Sequence, residues 1–432
     1  MTLFQVVAIL LTLAALFSYV NYKYIRLPMT IGVMVLSLAV SLAVIGLALL
    51  GVPVRGPAEK LLGAINFEAV LLRGMLAFLL FAGALHIKFD DLRSQAGAVT
   101  VLSTAGVVVS TFIVGALTWL IVGWLHLRES YGLRPIDCML FGALISPTDP
   151  IAVLGMLKTA ATPKTLETKI AGESLFNDGF GVVVFLVLLQ IKSGESATAG
   201  HVTLLLFEEV FGGILLGLVT GVVAFHFLRR VDHYQVEVPI TIALAMGTYT
   251  LGDVLHTSGP IAVVVAGLIT GNVGRRLAMS DQTQQHLDTF WELIDEVLNA
   301  CLFVLIGLAV LVMPFSPRFI LAGVLIIPVV LLARWASVAG AVAALRPFRQ
   351  FKRGAVVIMT WSGLRGGISV ALALSLPREP SRDVVLAVTY VVVIFSIVVQ
   401  GLTVGMLVRR ILGPTQSGAP IPGVTGGPGS LQ

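Results

Sequence analysis

The stretch Ser146-Pro147-Thr148-Asp149-Pro150 lies inside an apolar segment that runs from 135 to 157. A proline within a helix removes one backbone hydrogen bond, and its ring clashes with the preceding turn. Two prolines flanking Thr148 and Asp149 therefore predict that a helix stops here and resumes later. The break carries a carboxylate, Asp149, in the middle of an otherwise apolar segment.

The composition around this break is that of a membrane protein. Of the 432 residues, 57% are hydrophobic and 12% are charged, whereas soluble domains carry about 25% charged residues. Apolar stretches of about 20 residues, the length that crosses a bilayer as a helix, recur along the chain. A soluble fold is therefore excluded. The two cysteines, Cys138 and Cys301, are too few for a disulfide framework.

The apolar stretches predict an all-α polytopic membrane protein with thirteen transmembrane helices. The predicted spans are 3–22, 28–50, 69–87, 96–125, 135–157, 165–190, 203–228, 238–255, 259–273, 290–314, 319–343, 354–376 and 384–408. No basic residue precedes the first span, so we expect it to be retained rather than cleaved as a signal. The tail is rich in Pro, Gly and Ser, which is typical of disorder.

Lysine and arginine positions predict the orientation of the chain. The loops that follow odd-numbered spans carry the larger share, most clearly at Arg346, Arg349, Lys352 and Arg353. Cytoplasmic loops are enriched in these residues, so the N-terminus is predicted outside and the C-terminus in the cytoplasm of a multi-pass plasma membrane protein. Because the basic residues mark topology, the net charge of +5 does not indicate nucleic-acid binding.

A second break is predicted in span 12, at Ser362-Gly363-Leu364-Arg365-Gly366-Gly367. Transporters are often built from inverted repeats whose broken helices meet at the membrane midplane. If the repeats are spans 1–6 and 8–13, with span 7 as a linker, spans 5 and 12 correspond and cross. The predicted units are 1–202, 203–236, 237–411 and a disordered tail, 412–432.

An acid lies at one break and a base at the other. Asp149 would offset converging helix N-termini, and Arg365 would offset converging carbonyl ends. The prolines and glycines that support the breaks are Pro147, Pro150, Gly363, Gly366 and Gly367. An ordinary proline kink beside a glycine-rich packing surface is the alternative interpretation.

Span 6 carries a polar stripe within Gly172-Glu173-Ser174-Leu175-Phe176-Asn177-Asp178-Gly179. Helical spacing places Ser174 one turn from Asp178, and Glu173 one turn from Asn177. An ionisable side chain at a helix centre costs about 2.5–3.5 kcal/mol on insertion scales, so these groups indicate function. Without His or Cys, the oxygen ligands suit Na⁺, Li⁺ or H⁺ rather than a transition metal.

Asp149 and Asp178 together predict exchange chemistry. Two carboxylates in a partly dry site repel each other when both are ionised, and a bound cation or proton relieves the repulsion. Both ligands would compete for the same groups, so competition with alternating access is sufficient for exchange. The chain has no GxxxxGK[ST] motif for ATP, and no cofactor is expected.

Other charged residues have structural interpretations. Glu173 has two candidate basic partners, Arg334 and Arg365, and a structural ion pair is favoured over direct ion binding. Four acidic residues recur at helical spacing before span 10, where a solvated entrance face is favoured over a second site: Asp288, Glu292, Asp295 and Glu296.

The motifs around Asp149 and Asp178, with Leu331-Leu332-Ala333-Arg334 and Gly363-Leu364-Arg365-Gly366, resemble those of the sodium/proton exchanger family, a branch of the monovalent cation:proton antiporters. The resemblance covers nearly the whole chain. It implies a homodimer in which a core domain of spans 4–6 and 11–13 moves against a dimerisation domain of spans 1–3 and 7–10, and a role in pH homeostasis.

The resemblance also implies residue roles. Asp178 would be the principal cation and proton carboxylate, and Na⁺ would bind at Asp178 and Asp149. Ser174 and the Thr148 backbone would complete the site. Asn177 would hold the crossing together, Glu173 would pair with Arg334, and Arg365 would support the broken span 12.

Two details bear on the ion. An Asn177-Asp178 pair resembles the branch associated with electroneutral exchange, so one cation per proton is expected. Some relatives carry a glutamate after Leu-Leu-Phe in span 3, where this chain has Ala82. That departure puts a further carboxylate ligand, and any selectivity drawn from it, in doubt.

Three alternative functions differ from sodium/proton exchange in ways that can be tested. A K⁺-selective cation/proton antiporter would share the site chemistry. An intramembrane aspartyl protease would need two aspartates as acid and base, but its Gly-x-Gly-Asp context is missing. A cation channel would need a filter-like repeated loop, which the sequence lacks. The favoured class is therefore a secondary transporter rather than an enzyme.

Overall fold

The computed structural model describes residues 3–52, 70, 74–149, 153–155, 157, 162–194, 199–313, 316–347, 351 and 354–412. In chain order the first α-helices are α1 Leu3–Val20, α2 Met29–Leu49, α3 Leu76–Leu85, α4 Phe89–Ser103, α5 Ala105–Trp124, α6 Leu127–Tyr131, α7 Pro135–Ile145, α8 Lys164–Lys192 and α9 Ala199–Leu228. They are followed by α10 Tyr234–Val254, α11 Gly259–Ile269, α12 Arg275–Ala278, α13 Asp281–Ala309, α14 Pro317–Leu345, α15 Ala355–Trp361, α16 Gly367–Ser375, α17 Pro380–Phe395 and α18 Gly401–Leu412.

The all-helical membrane fold predicted from the sequence is confirmed. Eight segments of the described chain are long and apolar enough to cross a membrane: Phe4–Ile25, Met29–Ala48, Phe89–Trp124, Lys164–Lys192, Val202–Leu228, Gly259–Ala278, Pro317–Leu345 and Pro380–Leu412. Of the other predicted spans, two are broken, two begin in polar sequence, and span 3 lies partly outside the described residues. The count of thirteen stays a prediction, and the predicted tail lies almost entirely outside the described residues.

Two helices begin earlier than their apolar runs suggest. α4 starts at Phe89 rather than at 96, and α13 starts at Asp281 rather than at 290. Both have acidic residues in the first turn, where negative charge interacts favourably with the positive end of the helix dipole. These polar turns extend the helices beyond the apolar segments that the sequence marks as membrane-spanning.

The two predicted breaks meet inside the bundle. α7 ends at Ile145, and α15 and α16 are separated by residues 362–366. The Asp149 N–H donates to the Leu364 carbonyl over 2.8 Å, and the two segments pair there as an isolated antiparallel β-bridge. We call residues 146–149 and 362–366 the crossing region. Pro150, predicted to support the first break, lies outside the described residues.

Close helix packing surrounds the crossing region. α8 packs against α4 and α7, and α14 packs against α5 and α17. On another side, α13 packs on α2, where Ser37 Oγ donates to the Val304 carbonyl and Ser41 Oγ to the Gly307 carbonyl, each over 2.8 Å. A Cβ on Gly307 would lie 2.5 Å from Ser37 Cβ. Such small residues and hydroxyl-to-carbonyl bonds are how helices pack without a hydrophobic driving force.

An ion-pair cluster, buried at Lys192 and Asp137 and exposed at Glu379, joins three elements at one end of the bundle. Lys192 Nζ, at the end of α8, lies 2.8 Å from Asp137 Oδ1 in the first turn of α7 and 2.9 Å from Glu379 Oε2. Glu379 occupies the N-cap position of α17, and its side chain makes no capping hydrogen bond there. Hydrogen bonding and charge from Lys192 lower the pKa of Glu379, so this carboxylate keeps its charge well below neutral pH. This cluster was not predicted from the sequence.

Lys192→Met is expected to destabilise the protein by about 3–5 kcal/mol, because it removes the close charged partner of the buried Asp137 carboxylate and leaves it the backbone N–H and the 3.9 Å distant guanidinium of Arg134. Glu379→Gln should cost under about 1 kcal/mol, since its side chain is 45% exposed and exposed ion pairs are worth little. Thermal unfolding in detergent measures both. Equal losses in the two variants would contradict the assignment of Asp137 as the residue that depends on Lys192.

Candidate ion-binding site at the helix crossing

α8 supplies the largest set of polar side chains in the site. It runs unbroken from Lys164 to Lys192 after Pro163, which precedes its first turn. Four of its polar residues are buried beside the crossing region: Glu173, Ser174, Asn177 and Asp178. Gly181 allows the close approach, since a Cβ there would come within 2.3 Å of Pro147 Cγ.

Thr148 is held to α8 by a small hydrogen-bond network. The Thr148 N–H donates to Asn177 Oδ1 over 3.2 Å, and Asn177 Nδ2 donates to Thr148 Oγ1 over 2.9 Å. The Thr148 and Ser174 hydroxyls lie 3.0 Å apart. The amide of Asn177 therefore satisfies a backbone donor that the broken helix leaves unpaired, and it fixes the break against α8.

The two aspartates that the sequence singled out each adjoin a residue of this network, Asp149 after Thr148 and Asp178 after Asn177. Asp178 is 9% exposed, and its carboxylate is close enough to Asp149 for the two charges to repel. The Asp149 carboxylate lies against Gly366, where a Cβ would come within 2.4 Å of Asp149 Oδ2. Gly366 caps the N-terminus of α16, so the carboxylate faces the positive end of that half-helix.

Arg365 lies at the opposite kind of helix end. Its guanidinium Nη1 donates to the carbonyls of Ser146 and Pro147, the latter over 3.0 Å. These carbonyls follow the last turn of α7. At a helix C-terminus, carbonyl groups have no N–H donor from the helix itself. The charges at the two breaks therefore match the helix ends that they face: the acid faces an N-terminus, and the base faces a C-terminus.

Glu173 and Arg334 form a buried ion pair with two contacts. Arg334 Nη1 donates to Glu173 Oε1, and Nη2 donates to Oε2 over 3.0 Å. The guanidinium also donates to the Met359 carbonyl over 3.2 Å. Of the two arginines that the sequence offered as partners, the structure places Arg334 beside Glu173, and the pair joins α8 to α14 and α15.

The supporting glycines act by being small. A Cβ on Gly363 would lie 2.7 Å from Arg334 Nε, and one on Gly367 would lie 2.3 Å from Leu302 Cδ1 of α13. Neither position has a left-handed backbone that would require glycine. Close approach of neighbouring side chains therefore explains these residues.

The residues that hold the second break were not predicted from the sequence. The Arg365 N–H donates to Ser396 Oγ over 2.9 Å, and Ser396 Oγ donates to Gln400 Oε1 over 2.7 Å. Gln400 Nε2 donates to the Trp361 carbonyl over 3.1 Å. Ser396 and Gln400 bound a π-helical turn, a feature that recurs at functional sites. Their spacing of one helical turn inside an apolar span was the available signal.

Two carboxylates with the Ser174 and Thr148 hydroxyls present hard oxygen ligands, the kind that sodium prefers over soft metals. A buried acidic site at the crossing of two broken helices, within an apolar helical bundle, is the architecture of a secondary transporter.

The chain belongs to the sodium/hydrogen exchanger family: the profile described as "Sodium/hydrogen exchanger, transmembrane" matches residues 9–410. The family predicted from the sequence motifs is confirmed.

Several known proteins are similar over nearly the whole chain. The Na⁺/H⁺ antiporter NhaP of Pseudomonas aeruginosa is 50% identical over 416 residues, which cover 94% of this chain and 96% of that protein. The Na⁺/H⁺ antiporter NhaH of Halobacillus dabanensis is 34% identical over 87% of this chain and 91% of its own length. The structure of the sodium proton antiporter MjNhaP1 from Methanocaldococcus jannaschii at pH 8 superposes with a TM-score of 0.76 at 20% identity, covering 96% of this chain and 100% of that one.

Gly366→Ala is expected to reduce transport by about tenfold or more, since small displacements of a binding group have large effects on rate. The backbone of Gly366 is extended, at φ −115°, so alanine fits its conformation and only the contact with Asp149 changes. Gly340→Ala is the matched control, because no atom lies within 4 Å of a Cβ there. Ion flux in proteoliposomes measures both, and wild-type flux in Gly366→Ala would contradict this geometry.

Proposed function

We propose that this protein exchanges Na⁺ for protons across the membrane as a secondary antiporter, using Asp178 and Asp149 as the shared binding groups. The observation that carries the proposal is the buried carboxylate of Asp178, which is repelled by the partly buried Asp149 carboxylate and lies on the same helix as Ser174, whose hydroxyl contacts that of Thr148 at the helix crossing. The similar proteins named as Na⁺/H⁺ antiporters support the same ions.

Exchange follows from competition for one site. With both carboxylates ionised, repulsion across a dry site is unfavourable, so the site takes up either a cation or a proton. Asp178, on the intact helix α8, is the principal ligand and titrating group. Asp149 adds negative charge, and the Ser174 hydroxyl and the Thr148 backbone complete the oxygen shell. The site returns across the membrane loaded with one ion or the other.

The supporting residues keep the site rigid while it moves. Asn177 fixes the first break to α8, and Arg365 satisfies the carbonyl ends of α7. The Glu173–Arg334 pair connects α8 with α14. Because these contacts lie within one group of helices, we infer that this group moves as a unit.

The moving unit would comprise predicted spans 4–6 and 11–13, and spans 1–3 and 7–10 would form the static part and the contact with a second copy in a homodimer. Inverted repeats at 1–202 and 237–411, joined by 203–236, would relate the two crossing helices. In this arrangement the protein lies in the plasma membrane, with the N-terminus outside and the C-terminus in the cytoplasm.

The stoichiometry that we propose is one cation for one proton. The Asn177-Asp178 pair leaves Asp178 as the one aspartate of this motif, and the neighbouring carboxylate of Glu173 is held by Arg334. With Asp178 as the titrating group beside Asp149, the site takes up either one proton or one monovalent cation and carries the same charge in both directions. Exchange is then electroneutral.

Asp178→Asn should abolish Na⁺-dependent proton flux in proteoliposomes, because the amide can neither release a proton nor neutralise a cation. Glu167→Gln, in the first turn of the same helix, is the matched control and should keep wild-type flux. Gel filtration establishes that both variants fold. Full flux in folded Asp178→Asn protein would overturn the proposed function.

Electroneutral exchange has a separate test. An imposed membrane potential should leave the initial rate of Na⁺-driven proton flux unchanged, since no net charge crosses the membrane in a cycle. Potassium gradients with valinomycin, added at fixed sodium and pH gradients, set the potential. A rate that changes steadily with voltage would refute the one-for-one stoichiometry while leaving exchange itself intact.

A further inference from the structure

The four acidic residues near the start of α13 do not share one environment. Asp288 forms an ion pair with Arg275 that includes a 3.0 Å contact from Nη1 to Oδ2. Glu292 and Glu296 are exposed, and Asp295 is half-buried. The solvated face that the sequence predicted therefore includes Glu292 and Glu296. Asp295 faces a different part of the molecule.

Asn299 lies one turn beyond Asp295 and is 1% exposed. Its Nδ2 donates to the Asp295 carbonyl over 2.8 Å, which places the amide beside that residue. Its Oδ1 is buried and accepts no hydrogen bond from any residue that the structure describes. A buried amide oxygen without a partner is unfavourable, and it is a suitable ligand for a hard cation.

The face of α13 that carries these residues points towards the crossing region. Asp295, Asn299 and Leu302 follow helical spacing and lie on one side of the helix. Leu302 contacts Gly367, and the neighbouring Gly366 contacts the Asp149 carboxylate. The opposite side of α13, at Val304 and Gly307, packs on α2.

Asp295 adds negative charge on the side of α13 that faces the crossing region, where it interacts unfavourably with the Asp149 carboxylate. A cation bound beside Asp295 would relieve part of that repulsion. Along α13, Leu302 contacts Gly367, and Asn299 and then Asp295 lie successively closer to the start of the helix. Asp295 is therefore the nearest of the three to the membrane side on which α13 begins.

We propose that Asp295 and Asn299 form a second, weaker binding site for a monovalent cation, on the path between that side of the membrane and Asp149. The proposal rests on the exchange function proposed above. One half-buried carboxylate and one buried, neutral amide oxygen neutralise a single positive charge. They are too few charges to hold a divalent ion. A cation held there would be concentrated next to the transport site before it reaches Asp178.

Asp295→Asn tests this site with little change in shape. In proteoliposomes, the apparent KM for Na⁺ added on the side of the α13 N-terminus should rise about tenfold, as expected for loss of one nearby charge in a partly buried site. The maximal rate should be retained. Glu296→Gln is the matched control, since it removes the same charge from the adjacent, exposed position and should leave KM unchanged.

Asn299→Ala tests the second ligand independently and should also raise KM with the maximal rate retained. If Asp295→Asn fails to fold, as judged by gel filtration, the result of Asn299→Ala decides. Unchanged KM in the folded variants, or a loss of maximal rate with KM unchanged, would assign these residues a structural role and overturn the second site.

Equilibrium binding of ²²Na⁺ to purified protein separates this inference from the function on which it rests. Asp178→Asn protein should keep weak Na⁺ binding, and the added Asp295→Asn change should remove it. No residual binding in Asp178→Asn would refute the second site alone. Retained transport by Asp178→Asn would refute the proposed function instead.

Discussion

Arg365 donates to the carbonyls of Ser146 and Pro147 at the point where two broken helices cross. A bilayer offers no water to satisfy free backbone groups, so a helix can stop inside it only where protein supplies the missing partners. Here the guanidinium satisfies one helix end, the Asn177 side chain satisfies the Thr148 N–H, and the Asp149 N–H pairs with Leu364. The rest of the architecture depends on this set of contacts.

The same constraint accounts for the site. Extended backbone segments leave room for side chains that an intact helix would displace, and glycines at the second break let the Asp149 carboxylate approach the N-terminus of α16. Asp178 projects into this space from an unbroken helix, which fixes its position. Charges that would be too costly within the membrane are thus balanced by helix ends and by each other. The two aspartates still repel each other, and a bound cation or proton relieves that repulsion.

The sequence was most informative at charged, proline and glycine residues, which are unfavourable inside a membrane-spanning helix. Prolines beside Asp149, glycines beside Arg365 and the stripe ending at Asp178 are costly in an apolar span, and each stands out for that reason. The crossing of spans 5 and 12 was predictable because both breaks need partners. Span number was less secure, since polar first turns move the starts of α4 and α13 beyond their apolar runs.

The residues that were missed depend on contacts between distant parts of the chain. Ser396 and Gln400 are ordinary polar residues in an apolar span until the π-helical turn after α17 is placed against the second break. Lys192, Asp137 and Glu379 meet only because three helix ends converge. Choosing between Arg334 and Arg365 as the partner of Glu173 likewise required the fold, because helical spacing within α8 does not fix which neighbouring span faces it.

The central claim is that Na⁺ and a proton compete for the same carboxylates, and equilibrium Na⁺ binding as a function of pH tests it most directly. Isothermal titration of the purified protein gives the apparent Kd at each pH. If one proton is displaced per cation, the apparent Kd should weaken by about tenfold for each pH unit below the pKa of the site. An apparent Kd that stays constant from alkaline to acidic pH, in folded protein, would contradict the account.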